Sequence, residues 1–460
     1  MEFSLEQLKK WNEKIEEIAQ QEGLDYYPQE YEICSYEDMI AYEAYAGMPA
    51  RYPHWSFGKA FERTRTFYRY NLTGLPYEMV INSDPCLAYL MKDNTLLLQI
   101  LTMAHVYGHN DFFKNNRLFR QGTDAEYTIE MFKNHADRIR EYIQKPGIGY
   151  EKVERVLDAA HALKLQTHRA IGEKQLTRDE KIQRIKDRFQ PREKDFPLLE
   201  EDEKIEMPDL NKIPIEPRED ILNFFIEFAD LEDWERDIVE IVAEETSYFL
   251  PQIETKIMNE GWASFWHYKI LNQLELPQGM HLEFLKRHNQ VIRPTQGRIN
   301  PYYVGYKIFE DLVERYPDQP EKIFEVRELE RDESFIRKYL TLDLMREMNM
   351  FKYDEEEKYY LISEVADNEG WKEIRNSFAS SVGLNKVPFI KIVDTSKKDN
   401  VLYLEHEYQG QELQLNYASE TLKYMVELWD GPIHLKTIVE DKPKVLVCGS
   451  DKKISYKDAK

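Results

Sequence analysis

The stretch HVYGH, His105 to His109, sets two imidazoles four residues apart inside TLLLQILTMAHVYGHNDFF, a run that reads as one apolar helix. Residues at i and i+4 share a helical face, with Cβ atoms about 5–6 Å apart. Two imidazoles so placed can ligate one divalent cation. In the zinc motif H-E-x-x-H a glutamate follows the first histidine and acts as general base. Here Val106 takes that place. Spacing alone leaves metal ligation and a buried polar pair equally open, because a catalytic zinc uses three protein ligands plus water.

The best third donor lies far along the chain, in KIMNEGWASFWHYKIL. Glu260 falls there among apolar and aromatic residues, where a carboxylate is costly unless it is paired or bound to metal. Glu260, Ser264 and His267 share one helical face. Seven residues of helix span about 10 Å, so His267 is placed toward a substrate or an oxyanion and not toward the same ion. A second donor source is VERVLDAAHALKLQTH, where Asp158 and His161 are i, i+3 neighbours. Such a pair is either a ligand with its orienting partner or a satisfied core pair. His54, in YPHWSFGK, is a further polar group among aromatics. Asp111, Glu244 and Glu245 are the acids available to replace the missing base, Asp111 only if the helix breaks at Gly108. His135, His281, His288, His406 and His434 sit in contexts that suggest no chemistry.

Other chemistries find no support. No glycine-rich phosphate loop occurs, and no G-x-S-x-G elbow. Cys34, Cys86 and Cys448 are far apart, with no CxxC pair and no cue for nucleophilic activation. That usage fits a reducing cytosol. Repeated Glu-x-x-His pairs, as in di-iron bundles, are missing. A net charge of −23 over 460 residues disfavours nucleic acid and anionic lipid as partners. Mean hydropathy is −0.67. No apolar run approaches the ~20 residues of a spanning helix, so membrane insertion is not expected.

The elements that must hold these residues are mainly helical. Ser4 to about Gln21 is a helix with a Ser4/Gln7 capping box. Tyr26 to Tyr77 reads as irregular and aromatic, ending in a short helix, and MVINSDPCLAYLM as one or two strands. Helices follow at about 95–115, 124–145 and 149–170, then near 221–229, 234–257 and on to 274, and at 281–289 and 329–350, with the segment RINPYYVGYKIFEDLVERY between the last two. Residues 171–220, with five prolines from Pro191 to Pro217 and many acids, read as an extended crossover or insertion and not a helix. From about Tyr353 alternation takes over in KYYLISEV, PFIKIVD, VLYLEHEY, ELQLNYA, HLKTIVE and PKVLVCG, with one helix at 419–429 and a frayed tail. The expectation is a mainly α domain over 1–350, with a few strands, and a small α+β domain over 351–460.

Four long motifs resemble the stage V sporulation protein R family: ARYPHWSFGKAFE (50–62), MAHVYGHNDFFKNN (103–116), TKIMNEGWASFWHY (255–268) and RINPYYVGYKIFEDL (298–312). The resemblance implies a cytoplasmic protein of the sporulating mother cell, needed for the spore cortex and hence for peptidoglycan assembly. It also implies a serine protein kinase and its companion protein as partners. A looser resemblance, to gluzincin metallopeptidases, rests on His-x-x-x-His followed by Glu-Gly-Trp-Ala and Asn-Pro-Tyr. It makes His105, His109 and Glu260 ligands of a divalent metal, most simply zinc. It also offers a tyrosine near Pro301 (Tyr302, Tyr303 or Tyr306, with Tyr303 in first place) for an oxyanion. The function so implied is a metal-dependent hydrolase acting on an amide bond of a wall-related substrate. The alternative is a non-enzymatic regulator or scaffold linked to the kinase.

Overall fold

A computed structural model describes residues 3–69, 78–174, 176–188, 209–294, 299–355 and 360–459. The chain forms two compact units, each made from two separate stretches: 1–147 with 247–386, and 148–246 with 387–460. The protein is mainly helical, with few strands and a five-stranded sheet near the C-terminus.

In the first unit the Leu5–Gln21 helix starts at the reciprocal Ser4/Gln7 capping box that its sequence announces. The stretch read as irregular contains more order than its composition suggests. Gln29–Cys34 is a strand, Tyr36–Ala44 a helix capped by Ser35 and Asp38, and Trp55–Arg69 a longer helix. The stretch read as one or two strands forms two, Glu78–Ile81 and Cys86–Met91, paired antiparallel with Glu78 opposite Leu90. Cys86–Met91 is the central strand and runs parallel to Gln29–Cys34 on its other side.

Three helices carry the core of this unit: Leu96–Asn115, Lys256–Gln273 and Pro301–Arg315. Seventeen consecutive residues of the first, Leu97 to Phe113, are buried. This explains why the run is apolar all round and not along one stripe. Trp262, Trp266, Phe112, Phe309 and Phe335 fill the core between these elements.

Glycines set how closely the three helices approach. A Cβ on Gly108 would lie 2.6 Å from Ala263 Cα. A Cβ on Gly261 would overlap the backbone of Gly305, and one on Gly305 would overlap the carbonyl of Ile257. The glycine of HVYGH therefore does not break its helix, which runs uninterrupted to Asn115. It lets the Glu260 helix reach contact.

The second unit holds the five-stranded sheet, in the order Ile454–Asp458, Lys442–Cys448, Ile433–Val439, Val401–His406, Ile390–Ser396. All neighbours are antiparallel except Val401–His406 and Ile433–Val439, which the Leu415–Trp429 helix connects. Trp429 meets the rings of Phe224 and Phe225, each 5.8 Å away.

Four readings are corrected here. The single helix read over 329–350 is two short ones, Asp332–Tyr339 and Leu342–Glu347. The 171–220 stretch contains a helix, Arg178–Arg188, in which only Ile185 is buried. Its near-absence of apolar residues hid it, although Thr177 and Glu180 bond reciprocally at its start as a capping box. The LNYA of ELQLNYA opens the Leu415–Trp429 helix and is not a strand. The tail does not fray, since Ile454–Asp458 pairs with Lys442–Cys448. Among the described residues no helix is long and apolar enough to cross a membrane.

Candidate metal centre

The close crossing brings His105, His109 and Glu260 together. His109 Nε2 lies 3.6 Å and His105 Nε2 3.9 Å from Glu260 Oε2. A fourth donor joins them that the sequence reading missed: Glu78 Oε1, at the start of its strand, is 3.6 Å from His105 Nε2. Donor atoms of Glu78, His105 and His109 lie within 4.8 Å of one another. Ligands bound at 2.0–2.1 Å to a tetrahedral ion sit roughly 3.4 Å apart, close to the 3.6 and 3.9 Å between Glu260 and the two histidines.

The chemistry of the group fits a cation. His105 Nε2 is buried and has no hydrogen-bond partner. Both histidines engage their other nitrogen, His109 Nδ1 with Asn259 Oδ1 at 2.9 Å and His105 Nδ1 with His267 Nδ1 at 2.9 Å. That is the arrangement in which an outer partner fixes a ligand ring. Two carboxylates beside two imidazoles give a net negative pocket. The histidines are 4% and 8% exposed and Glu78 and Glu260 13% and 19%, so the four side chains are largely enclosed.

Burial shapes the protonation states. It pushes the Glu78 carboxyl up, and the neighbouring Glu260 charge adds to this. Burial acts upward on Glu260 as well, but His105 and His109 outweigh it and hold this carboxyl below its usual range. His109 is pushed down to about 4, by burial and then by His105. At neutral pH the group therefore offers a carboxylate and a neutral imidazole, the forms that bind metals.

His267 is wholly buried, and its Nε2 contacts His288 Nδ1 at 2.8 Å. It thus stands behind His105, at the Nδ1 nitrogen, while the carboxylates face Nε2. His288, which the sequence gave no reason to notice, is pushed down to about 4 by burial and then by His105. An unfolded histidine titrates near ~6.5, so the unfolded chain binds a proton there that the folded chain refuses, and stability falls as pH drops from about 6.5 to 4. His288→Gln is expected to flatten that loss by about 2 kcal/mol between pH 7 and 4.5, read from urea midpoints.

The remaining candidates sit elsewhere. Asp111 is wholly buried and accepts from Asp25 N–H and Trp262 Nε1–H, both at 2.8 Å, with Arg327 Nε at 3.4 Å. Its carboxyl is pushed up to about 6 by burial. It ties the histidine helix to its neighbours. Asp111→Ala leaves the buried Arg327 unpaired and is expected to cost about 3 kcal/mol in urea unfolding. Tyr303 is half-buried in the Pro301–Arg315 helix, which Asn300 caps. It is the ring of Tyr302, its neighbour, that stacks on His105, centroids 6.2 Å apart. Tyr306 donates to Glu310 Oε1 at 3.1 Å. His54 Nδ1 lies 2.7 Å from Ser56 Oγ and accepts from Ser56 N–H at the start of its helix. Asp158, His161, Glu244 and Glu245 belong to the second unit, where Glu245 is buried and the first two are partly so. Val106 is wholly buried. Burial raises the thiol of each of the three cysteines.

Residues 2–387 match the family described as SpoVR like protein, and residues 388–440 the SpoVR-like C-terminal domain. The chain belongs to the SpoVR family. The junction of the two matches falls beside the boundary between the compact units at 386 and 387. A protein of Escherichia coli (strain K12), "Uncharacterized protein YcgB", is 35% identical over 474 residues, which cover 93% of this chain and 91% of that protein. No solved structure matches the chain.

Proposed function

We propose that this SpoVR-family protein supports sporulation, in spore cortex formation, through a metal-dependent hydrolase site that cleaves an amide bond of a peptidoglycan-related substrate. The observation that carries the chemistry is the convergence of His105 Nε2, His109 Nε2 and Glu260 Oε2, with His105 Nε2 otherwise unpartnered. These three hold the metal, zinc in the simplest case. Bound there, a metal lowers the pKa of water and polarises a carbonyl. Glu78 answers the absence of the motif glutamate. Burial raises its carboxyl, the direction that suits a general base, and its Oε1 lies 3.6 Å from His105 Nε2. Tyr302, stacked on His105, walls the site. The like order of ligands in gluzincins supports this reading. The protein acts in the cytoplasm of the mother cell, on a precursor and not on assembled cortex.

The test is zinc-loaded full-length protein incubated with soluble muropeptides and followed by mass spectrometry. The expected product pair sums to substrate plus one water, and Glu78→Gln abolishes it while zinc stays bound. Intact substrates with fully loaded wild type would remove the hydrolase reading. The regulator or scaffold reading would then take its place, with the serine protein kinase and its companion as partners. The residue at 106 favours that second reading, since a peptidase of the usual motif has its base there.

A further inference from the structure

One of the long motifs, ARYPHWSFGKAFE, has no part in the metal centre. It runs into the Trp55–Arg69 helix, WSFGKAFERTRTFYR, and no residue of that helix is buried. The helical period places Phe57, Ala60, Phe61, Thr64 and Tyr68 on one face. All five are only half-buried, and rings cover them in part. Tyr45 meets Phe57 with centroids 5.5 Å apart, and Tyr36 stacks on Tyr68 at 5.8 Å. Lys59, Arg63, Arg65 and Arg69 are exposed. The same period puts Arg63 and Arg65 on opposite flanks of the aromatic face, with Lys59 and Arg69 between them on the outward side. The helix holds one acid, Glu62, which pairs with Arg65 at 3.1 Å. Trp55 is 48% and Phe67 38% exposed, with Lys59 and Arg63 over their rings at 5.7 and 6.0 Å.

In a chain of net charge −23, four cations against one acid on a single exposed helix reverse the sign locally. A basic amphipathic helix with aromatic residues and an incompletely covered apolar face is the kind that lies on a membrane surface. We infer that the outward face of the Trp55–Arg69 helix docks the protein on a surface of anionic lipid. Lys59, Arg63, Arg65 and Arg69 meet the headgroup phosphates. The exposed rings of Trp55 and Phe67 enter the headgroup layer, where aromatic rings are favoured. Nucleic acid fits this patch less well. A single strand is held in a charged groove that tracks its backbone, and here the cations stand on the convex surface of one helix. The acidic remainder of the chain is repelled by the same lipids. At physiological salt exposed charges act over about 8 Å, so the helix binds only in close contact and added salt releases it. The helix belongs to the same compact unit as His105, His109, Glu260 and Glu78. The inference stands apart from the metal reading and does not depend on it.

Flotation of full-length protein with vesicles tests it, using phosphatidylcholine alone and phosphatidylcholine with phosphatidylglycerol in equal parts. The expected result is binding to the anionic vesicles only, released as salt is raised. Each cation near such a surface is worth about fivefold in affinity. The combined substitution Lys59→Gln, Arg63→Gln, Arg65→Gln and Arg69→Gln is therefore expected to weaken binding about 100-fold or more. No residue of the helix is buried, so its circular dichroism and urea midpoint should match wild type. Arg63→Gln with Arg69→Gln keeps the pair of Arg65 with Glu62 and should lose about 10–30-fold. Lys9→Gln, Lys10→Gln, Lys14→Gln and Lys133→Gln together remove as many exposed cations elsewhere in the unit and should leave binding within about 3-fold. Three results would each overturn the inference: no binding of wild type to the anionic vesicles, full binding by the first variant, or equal losses in it and in the lysine control. Capture of a single-stranded oligonucleotide in preference to the anionic vesicles, lost in the same variant, would overturn it in favour of a nucleic-acid surface.

Discussion

Glu260→Ala is expected to abolish stoichiometric zinc binding, in protein purified without a histidine tag and analysed for metal beside the wild type. Loss of a donor in contact with the ion should exceed the 10–100-fold typical of outer partners, so about two orders of magnitude or more is expected. The stability readout follows from mass action. Zinc at 100 times its Kd adds about 2.7 kcal/mol to the folded state, which for a unit of this size is on the order of 5 °C in Tm. Wild type gains that shift and Glu260→Ala does not. His105→Ala separates this from a role in stability alone. If the buried histidines serve only as a hydrogen-bonded network, that substitution costs about 1–3 kcal/mol in metal-free protein, and zinc changes neither variant nor wild type. If they hold a metal, the larger loss appears only in the presence of zinc. Absence of zinc or any other transition metal from both wild type and Glu260→Ala removes the metal reading.

The candidate site was legible where its signals are local. Two histidines at i, i+4 and an acid inside an aromatic helix are visible without any partner in view, and both lie where the helical period places them. Glu78 gave no such signal. It opens a short strand, EMVI, where an acid ordinarily faces water. Its neighbours His105 and Glu260 come from helices far away in sequence, so only the assembled unit shows it as a donor. His288 is similar, because nothing in HLEFLKRHNQ says that its ring meets His267. Glycine carried two meanings the sequence cannot separate. Gly108 in a helix signals either a break or a close approach, and the answer depends on Ala263. In the fold, the Ser4/Gln7 capping box and the long apolar run at Leu96–Asn115 read correctly, whereas the helix read over 329–350 is two short ones. Two further misses were short and polar: the Gln29–Cys34 strand, whose alternation is carried by Tyr31 and Ile33 between exposed glutamates, and the Arg178–Arg188 helix, with one buried residue. Such elements are held by tertiary contacts more than by their own pattern.

Gly108→Val tests whether the crossing itself makes the site. The substitution leaves His105, His109, Glu260 and Glu78 in place and changes no charge. A Cβ at this position meets the Cα of Ala263 at 2.6 Å, and the obstacle is backbone, which cannot rotate away. The two helices must therefore part, by roughly an ångström to restore ordinary van der Waals contact. Overpacking of a core commonly costs 1–3 kcal/mol, and with backbone on both sides and two further branches on the new side chain about 4 kcal/mol is expected. The functional effect should be larger still, because Glu260 and the two imidazoles sit on opposite sides of the seam that opens. Donors already 3.6 and 3.9 Å apart have little to spare before a single ion can no longer bridge them. Zinc affinity is expected to fall at least as far as in an outer-partner deletion, about 100-fold, with the histidines intact. Gly58→Ala is the control. Gly58 lies in the Trp55–Arg69 helix with nothing within 4 Å of a new Cβ, so the same kind of change there should stabilise by about 0.5–1 kcal/mol and leave zinc binding alone. Gly261 bears on the seam from the other side, since its Cβ would strike the backbone of Gly305. Gly261→Ala should thus shift the Glu260 helix away from the Pro301–Arg315 helix and lower both Tm and zinc affinity. If Gly108→Val binds zinc as wild type does, the donors are not held by this crossing, and the account of why a glycine stands inside HVYGH is wrong.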